Sequence, residues 1–476
     1  MKGEFDLVIM GWGAAAFSAA IKASELTSGG MTIAMVGSGK LGGTCVNVGC
    51  VPSKYLLESS HRVFNPLHPT MPGINPVRVE YSFPEVMEGL RNYVNTARTE
   101  KYEKVISQYP NITVLEGKAR FSDSRNVEVV SDSGEVIHSL RGDNILIATG
   151  SSPSDPPIPG LDKTDHLNSE NIWNLSKLPA SILIAGGGAI GLEIGQALRH
   201  LGAEVTVVDS LPEILPQTEP EIARALREHL EGEGMRFVLR ARISRIFEEG
   251  EEKLMEVVTH RGNEILKAES ILVATGRSPN TKFLNLSNAG VETERNGSIK
   301  TDKKMMTSQP GIYAAGDVVS KKLMLETLAA REGVAAVSNM LGMDVTIDYD
   351  TIPWGIFTEP QIAGIGSTEA QYSAKNGSCM SRTIHLSSVT KATITGEADG
   401  MIKIIAEPGS GKVVGVQVMS PNATDFISEA AFIMRNNLTV EDIVNTTHIF
   451  PSFGEGIKIT AQSFFRDISK MSCCVE

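Results

Sequence analysis

Apolar, β-branched runs that break into glycines and restart as helices of small residues recur along the chain. The first is DLVIMGWGAAAFSAAIKA, beginning at Asp6, and the second is SILIAGGGAIGLEIGQALRHLG, from Ser181. Such a run reads as a buried strand, and the alanine- and glycine-rich stretch after it as a helix packed closely on that strand. Each is followed by a further apolar strand, TIAMV at 32–36 and VTVVD at 205–209. The order strand, helix, strand predicts two βαβ units, and so two dinucleotide-binding folds. Two more strands end in similar turns, ILIATGSSP at 145–153 and ILVATGRSPN at 271–280. This repetition predicts paired domains, the second inserted into the first.

The polar and apolar positions of 84–108 alternate as in a long amphipathic helix. PGIYAAGDVV at 310–319 reads as a glycine-containing strand. From about 346 the pattern changes. MIKIIAE and VVGVQVMS predict strands, and ATDFISEAAFIMRNN and KITAQSFFRDISK predict helices, with no nucleotide motif among them. Their apolar faces suit a dimer interface. The fold class is therefore α/β: two Rossmann-like dinucleotide-binding domains plus a C-terminal α+β dimerisation domain. The expected bounds are 1–150 and 279–345 for the first domain, 151–278 for the second and 346–476 for the last.

Composition narrows the class. A net charge of −12 argues against a general nucleic-acid or anionic-membrane surface. No apolar run approaches the ~18 residues of a membrane span. The opening MKGEFDLVIMGWG predicts a strand rather than a secretory leader. Five cysteines in 476 residues is a low, odd count, unlike a secreted disulfide scaffold. The expected compartment is the cytoplasm, where a disulfide is a working one. Two of the five, Cys473 and Cys474, stand side by side in the closing MSCCVE.

The glycine motifs carry specific chemistry. In Gly11-x-Gly13-x-x-Ala16 the first glycine permits a tight turn and the second lets a pyrophosphate approach the backbone. The small third residue lets helix and strand pack closely, and the helix N-terminus faces the phosphates. The acid that usually ends the second strand and holds a ribose hydroxyl falls at Gly37, so the ribose is left to backbone and water or is held more loosely. Gly186-x-Gly188-x-x-Gly191 has its acid, Asp209. A carboxylate there accepts from a 2′-hydroxyl and repels a 2′-phosphate, which favours NADH over NADPH. In LGGTCVNVGCVPSK at 41–54, Cys45 and Cys50 are spaced for cycling between dithiol and disulfide. A helix beginning there would lower thiol pKa values. Two buried thiols, or half of a zinc site, are the alternatives, although no further zinc ligands lie nearby in sequence.

GGTCVNVGCVPSK is similar to the redox-active motif of the FAD-dependent pyridine nucleotide-disulfide oxidoreductases. The resemblance covers essentially the whole chain, including both dinucleotide motifs, the two ATG turns, YAAGD and the stretch from IPWGIFTEPQIAGIG onward. It implies FAD in the first domain, NADPH or NADH in the second and a homodimer with the active site at the interface. Cys50 is then the charge-transfer thiol against the flavin and Cys45 the interchange thiol facing substrate. The resemblance places Lys54 near the flavin N5, paired with Glu193, and brings Thr44, Ala119, Asp317 and Leu325 to the FAD. The turns add Ala14, Gly43, Gly150 and Gly276 to the cofactor-binding set.

Disulfide reductases of this family carry a near-terminal HxHPTxxE segment whose second histidine is the acid and base. Here the segment runs His448 to Glu455, and the histidine position is Phe450. A phenyl ring cannot shuttle a proton. His448 lies two residues away and could point the same way on an extended backbone. The tail DISKMSCCVE resembles instead the ending of the mercuric-ion-reducing branch. Soft Hg(II) prefers two thiolates, so the resemblance implies that Cys473 and Cys474 capture it from thiol complexes and pass it to Cys45 and Cys50 of the partner subunit. Tyr102 matches a tyrosine near the metal in that branch. Cys379 matches nothing.

Overall fold

The computed structural model describes residues 2–319 and 323–470. They divide into two compact units. The first takes in the chain up to Ser53, Met87–Ser154 and Gly276–Ile347. The second takes in Lys54–Val86, Asp155–Thr275 and the chain from Asp348.

In the first unit the apolar runs pair as parallel strands, in the order Ile112–Glu116, Ile33–Gly37, Lys2–Met10 and Val136–Ile147. Ile312–Ala314 joins the last of these in parallel. Every residue of Ile33–Gly37 is buried, which explains its continuous rather than alternating apolar pattern. Lys118–Phe121 and Asn126–Val130 extend the sheet as antiparallel strands. Helix Ala14–Leu26 packs closely on helix Glu326–Met340, because a Cβ on Gly333 would lie 2.1 Å from the carbonyl oxygen of Ala15.

The amphipathic segment is less regular than its sequence pattern. Helix Phe83–Arg98 passes into a π-helical turn, Thr99–Glu103, before Lys104–Ile106. The side chains of Arg98 and Thr99 both reach Glu103, at 3.2 and 2.8 Å, across the widened turn. Such turns cluster at functional positions, and this one carries Tyr102.

The second unit holds the other nucleotide fold, with parallel strands in the order Arg236–Val238, Glu204–Val208, Ser181–Ala185 and Ser270–Val273. An antiparallel meander of Arg242–Glu249, Glu252–Thr259 and Gly262–Ala268 is inserted in the chain between Arg236–Val238 and Ser270–Val273. The C-terminal part is an antiparallel sheet in the order Trp354–Ile356, Gln361–Gly366, Val413–Ser420, Met401–Ala406 and Met380–His385. Helices Ala423–Arg435 and Glu455–Gln462 cover its core. The last helix begins and ends earlier than KITAQSFFRDISK suggests. Ser463 donates to the Thr460 carbonyl at 2.6 Å, a local bond that competes with continuation of the helix.

An ionic cluster centred on a buried lysine joins strand Met401–Ala406 to the starts of helices Pro220–Gly232 and Glu369–Asn376. Lys403 Nζ lies 2.9, 2.7 and 2.8 Å from carboxylate oxygens of Glu219, Glu221 and Glu369. The lysine side chain is 6% exposed and that of Glu219 3%. Glu219 also accepts from the Glu369 N–H, and its own N–H donates to Gln417 Oε1 at 2.8 Å.

Candidate active site

Strand Lys2–Met10 runs into Gly11, whose φ of +125° is open to glycine at little cost. A Cβ there would meet the Ala148 carbonyl oxygen at 2.1 Å. Gly13 caps helix Ala14–Leu26, and Ala16 is fully buried beneath the turn. The cysteine loop packs directly on this turn. A Cβ on Gly43 would lie 2.6 Å from Gly13 Cα, and the Gly42 N–H donates to the Trp12 carbonyl at 3.1 Å. The backbone is bare where a pyrophosphate would need to approach, so these residues fit a bound dinucleotide.

The missing acid at Gly37 has a structural counterpart. The indole of Trp12 lies on Gly37 so closely that a Cβ there would come within 2.3 Å of its ring. Trp12 itself is buried. The space a carboxylate would use is filled by the indole. Gly37→Glu should therefore destabilise the protein by about 1–3 kcal/mol through overpacking. Trp12→Ser in the same chain should recover most of that loss in thermal denaturation. Equal melting temperatures for the single and double variants would contradict this account.

Cys45 lies within the short helix Gly43–Val48, beside Thr44, and Cys50 opens helix Cys50–Phe64. Gly49 joins them in a turn so tight that a Cβ would sit 3.0 Å from the Thr44 carbonyl oxygen. Cys45 is half-buried and Cys50 exposed. The Cys45 thiol is hydrogen-bonded to Cys50, and this bond is the main cause of the strong upward displacement of its pKa. Burial and the charges of Cys50 and Glu326 push the same way. The expectation of lowered thiol pKa values thus fails for Cys45. Two sulfurs this close titrate as a pair that shares a proton.

Tyr102 is brought to the same place. A Cβ on Gly42 would lie 3.1 Å from its ring, and Phe17 meets it edge to face at 4.9 Å. Its hydroxyl is pushed up to about 12 by burial, then by Glu326, Cys45 and Cys50, so at neutral pH it remains a donor. Asn47 and Arg98 were missed in the sequence. Arg98 donates to Asn47 Oδ1 at 3.1 Å, and Asn47 Nδ2 donates to the carbonyls of Leu41 and Gly43 at 2.9 Å each. They tie the cysteine loop to the helix bearing Tyr102. An asparagine inside a glycine-rich loop was the available signal, since its amide can satisfy loop carbonyls.

Asp317 Oδ2 accepts from Ser151 Oγ at 2.8 Å. Gly150 and Gly276 both adopt positive φ, at +68° and +142°. Ala119 is buried in Lys118–Phe121, and Leu325 caps helix Glu326–Met340.

Other expected residues lie in the second unit. Lys54 Nζ pairs with Glu193 Oε2 at 2.7 Å and stands 4.3 Å from the centre of the Phe357 ring, and the Phe357 N–H donates to Glu193 Oε1 at 2.9 Å. A Cβ on Gly186 would meet the Ala274 carbonyl oxygen at 2.6 Å, repeating the tight turn of the first motif. Gly188 caps helix Ala189–His200, in which Gly191 is buried. Asp209 accepts from the N–H groups of Gly187 at 2.7 Å and Leu211 at 2.8 Å.

His448 is held by a carboxylate and a backbone carbonyl. Its Nε2 lies 2.7 Å from Glu429 and its Nδ1 3.0 Å from the Thr446 carbonyl, with 8% of the side chain exposed. The Glu429 carboxylate raises its pKa. Phe450 is 51% exposed, and Glu455 Oε2 is buried without a hydrogen-bond partner among the described residues. Cys379 rests against Ser373 at 3.4 Å. Cys473 and Cys474 lie outside the described residues. Among the described residues no group of three or more His, Cys, Asp or Glu side chains is arranged to hold a metal ion.

A cysteine pair beside a glycine-lined dinucleotide turn, with a second nucleotide fold in the same chain, defines a two-nucleotide redox enzyme. Pyridine nucleotide-disulphide oxidoreductase is the family whose model matches residues 5–333, and the dimerisation domain of that family matches 352–461. The chain belongs to this family, whose members use FAD with NADH or NADPH, and its dimerisation domain makes it a homodimer. The chain is similar to the mercuric reductase of Lysinibacillus sphaericus, with 37% identity over 99% of this chain and 84% of that protein. The mercuric reductase of Streptomyces lividans is 35% identical over 99% and 98%. Among solved structures, LpdA from Mycobacterium tuberculosis superposes with a TM-score of 0.86 at 25% identity, covering 98% of this chain and all of that one. The HOCl-induced flavoprotein disulfide reductase RclA from Escherichia coli gives 0.85 at 24%, covering 97% and 100%.

Proposed function

We propose that this protein is a flavoenzyme that reduces Hg(II) to Hg(0) at the expense of NAD(P)H. The observation that carries the reading is the convergence of Cys45, Cys50 and Tyr102 in a chain that matches mercuric reductases over 99% of its length. Bound FAD would supply two-electron transfer between the nicotinamide nucleotide and the cysteine site. Gly11, Gly13, Ala14, Ala16, Gly43, Thr44, Ala119, Gly150, Gly276, Asp317 and Leu325 would hold it, with Lys54 and Glu193 as its polar partners. Gly186, Gly188, Gly191 and Asp209 would hold the nicotinamide nucleotide, and Asp209 favours NADH because its carboxylate repels a 2′-phosphate.

The substrate arrives as a thiol complex. Cys473 and Cys474 take the metal by ligand exchange and pass it to Cys45 and Cys50 of the partner subunit. As Hg(II) displaces the shared proton, each sulfur becomes a thiolate ligand. Tyr102, still protonated, donates toward the sulfurs and limits their charge. Two electrons convert Hg(II) to Hg(0), for which thiolates have little affinity, and one NAD(P)H is consumed per metal atom. No step requires the acid and base that Phe450 removes. The low cysteine count supports a cytoplasmic location, and among the described residues no helix is long and apolar enough to cross a membrane.

The test compares substrates. Purified holoenzyme with excess small thiol should oxidise NADH or NADPH on addition of Hg(II) and release volatile mercury. Cys473→Ala with Cys474→Ala should slow turnover of thiol-chelated Hg(II) at least about tenfold while flavin reduction by NADH persists. Turnover of dihydrolipoamide with NAD, with mercury acting only as an inhibitor, would replace this reading with a disulfide reductase. Binding without nucleotide oxidation would replace it with sequestration.

A further inference from the structure

We propose that Ser151 is a positioning residue for Asp317, and that Arg277 fixes Ser151 in that role. The inference rests on reading Asp317 as a flavin-contacting carboxylate and adds the residues that aim it.

The chain leaves the first unit after Ser154 and re-enters it at Gly276. Just inside these points, Ser151–Pro153 and Arg277–Pro279 pair as antiparallel strands, with Pro279 opposite Ser151. The neck is clasped on both sides. Thr149 Oγ1 donates to the Asn280 carbonyl at 2.9 Å, and Asn280 Nδ2 returns a bond to the Thr149 carbonyl at 3.0 Å. The Ser154 N–H donates to the Gly276 carbonyl at 3.0 Å. Ser151 is therefore fixed in its backbone as well as buried, with 3% of its surface exposed.

The direction of its hydrogen bonds follows from chemistry. A guanidinium only donates, and a hydroxyl has one proton. Arg277 Nε donates to Ser151 Oγ at 2.8 Å, and Arg277 Nη2 donates to the Ser151 carbonyl at 2.6 Å. The Ser151 proton is thereby directed at Asp317 Oδ2, 2.8 Å away. One carboxylate oxygen is held from the protein side, so the other is presented in a single orientation. The arginine's charge also polarises the hydroxyl and strengthens its bond to the carboxylate. Without Ser151 the carboxylate would be free to rotate about its own side-chain bonds, and binding would then carry the cost of ordering it.

The experiment is a titration of the full-length, flavin-stripped protein with FAD, followed by flavin fluorescence. Ser151→Ala should raise the FAD dissociation constant about tenfold or more, the range for a lost hydrogen bond to a charged group. Asp317→Ala should raise it at least as much. The double variant should bind no more weakly than Asp317→Ala alone, because Ser151 acts through Asp317. A purely structural serine would instead give additive losses, and that result overturns the proposal. Asp317→Ala without effect on FAD affinity would overturn the reading of Asp317 itself, a separate failure. Arg277→Lys keeps the charge but loses the planar fork. It should weaken FAD binding about threefold to tenfold, again without effect in the Asp317→Ala background. That arm decides the question if Ser151→Ala does not fold.

Discussion

Replacing Cys45 by alanine should lower Hg(II)-dependent NAD(P)H oxidation by at least about a thousandfold. Flavin content and the rate of flavin reduction by the nicotinamide nucleotide should stay near those of the parent protein. The expectation follows from the way the two sulfurs share a site. The hydrogen bond between Cys45 and Cys50 pushes the Cys45 pKa up, and burial and the charge of Cys50 add to it. A divalent metal overcomes that rise by binding both sulfurs at once. With one sulfur left, the metal has a single soft ligand and no second charge to balance it. Cys50→Ala should be equally inactive, and it alone should abolish the long-wavelength charge-transfer absorbance of the reduced enzyme. Retention of more than about a tenth of the parent activity in either variant would mean that electrons reach the metal without the inner pair.

Lys403→Met should destabilise the protein by about 3–5 kcal/mol, the range for a broken buried ion pair. For a chain of 476 residues the melting temperature should then fall on the order of 3–5 °C. Three carboxylates approach the lysine within 2.9 Å, and Glu219 is almost wholly enclosed. Glu369 is held below the usual carboxylate range first by its hydrogen bond from Lys403, then by that from Ser381. Removing the cation leaves Glu219 as an enclosed charge without its partner, while Glu221 and Glu369, 38% and 46% exposed, can still be hydrated. Adding Glu219→Gln to Lys403→Met should recover part of the loss, since it removes the most deeply buried of the three charges. A single variant that melts within about 2 °C of the parent would show that the cluster relaxes into solvent instead.

Much of this protein was legible in its sequence because the information is local. Glycine at 11 and 43 is required by backbone approaches of under 3 Å, and a spacing motif records such requirements directly. The buried parallel strands announce themselves as unbroken apolar runs for the same reason, and the Cys45–Cys50 spacing fixes a tight turn through Gly49. The sequence also determined that no proton-carrying side chain stands at Phe450. Tertiary structure alone decided the rest. Trp12 covers Gly37, Arg98 locks Asn47, His448 turns inward to Glu429, and the Ser151 proton is directed at Asp317. It also settled that Cys45 resists ionisation, where a helix start suggested the opposite. Each of these depends on atoms that are distant in the chain or on competition among several partners for one group. Residue spacing cannot encode that competition, because its outcome depends on distances and burial that exist only after the chain has folded.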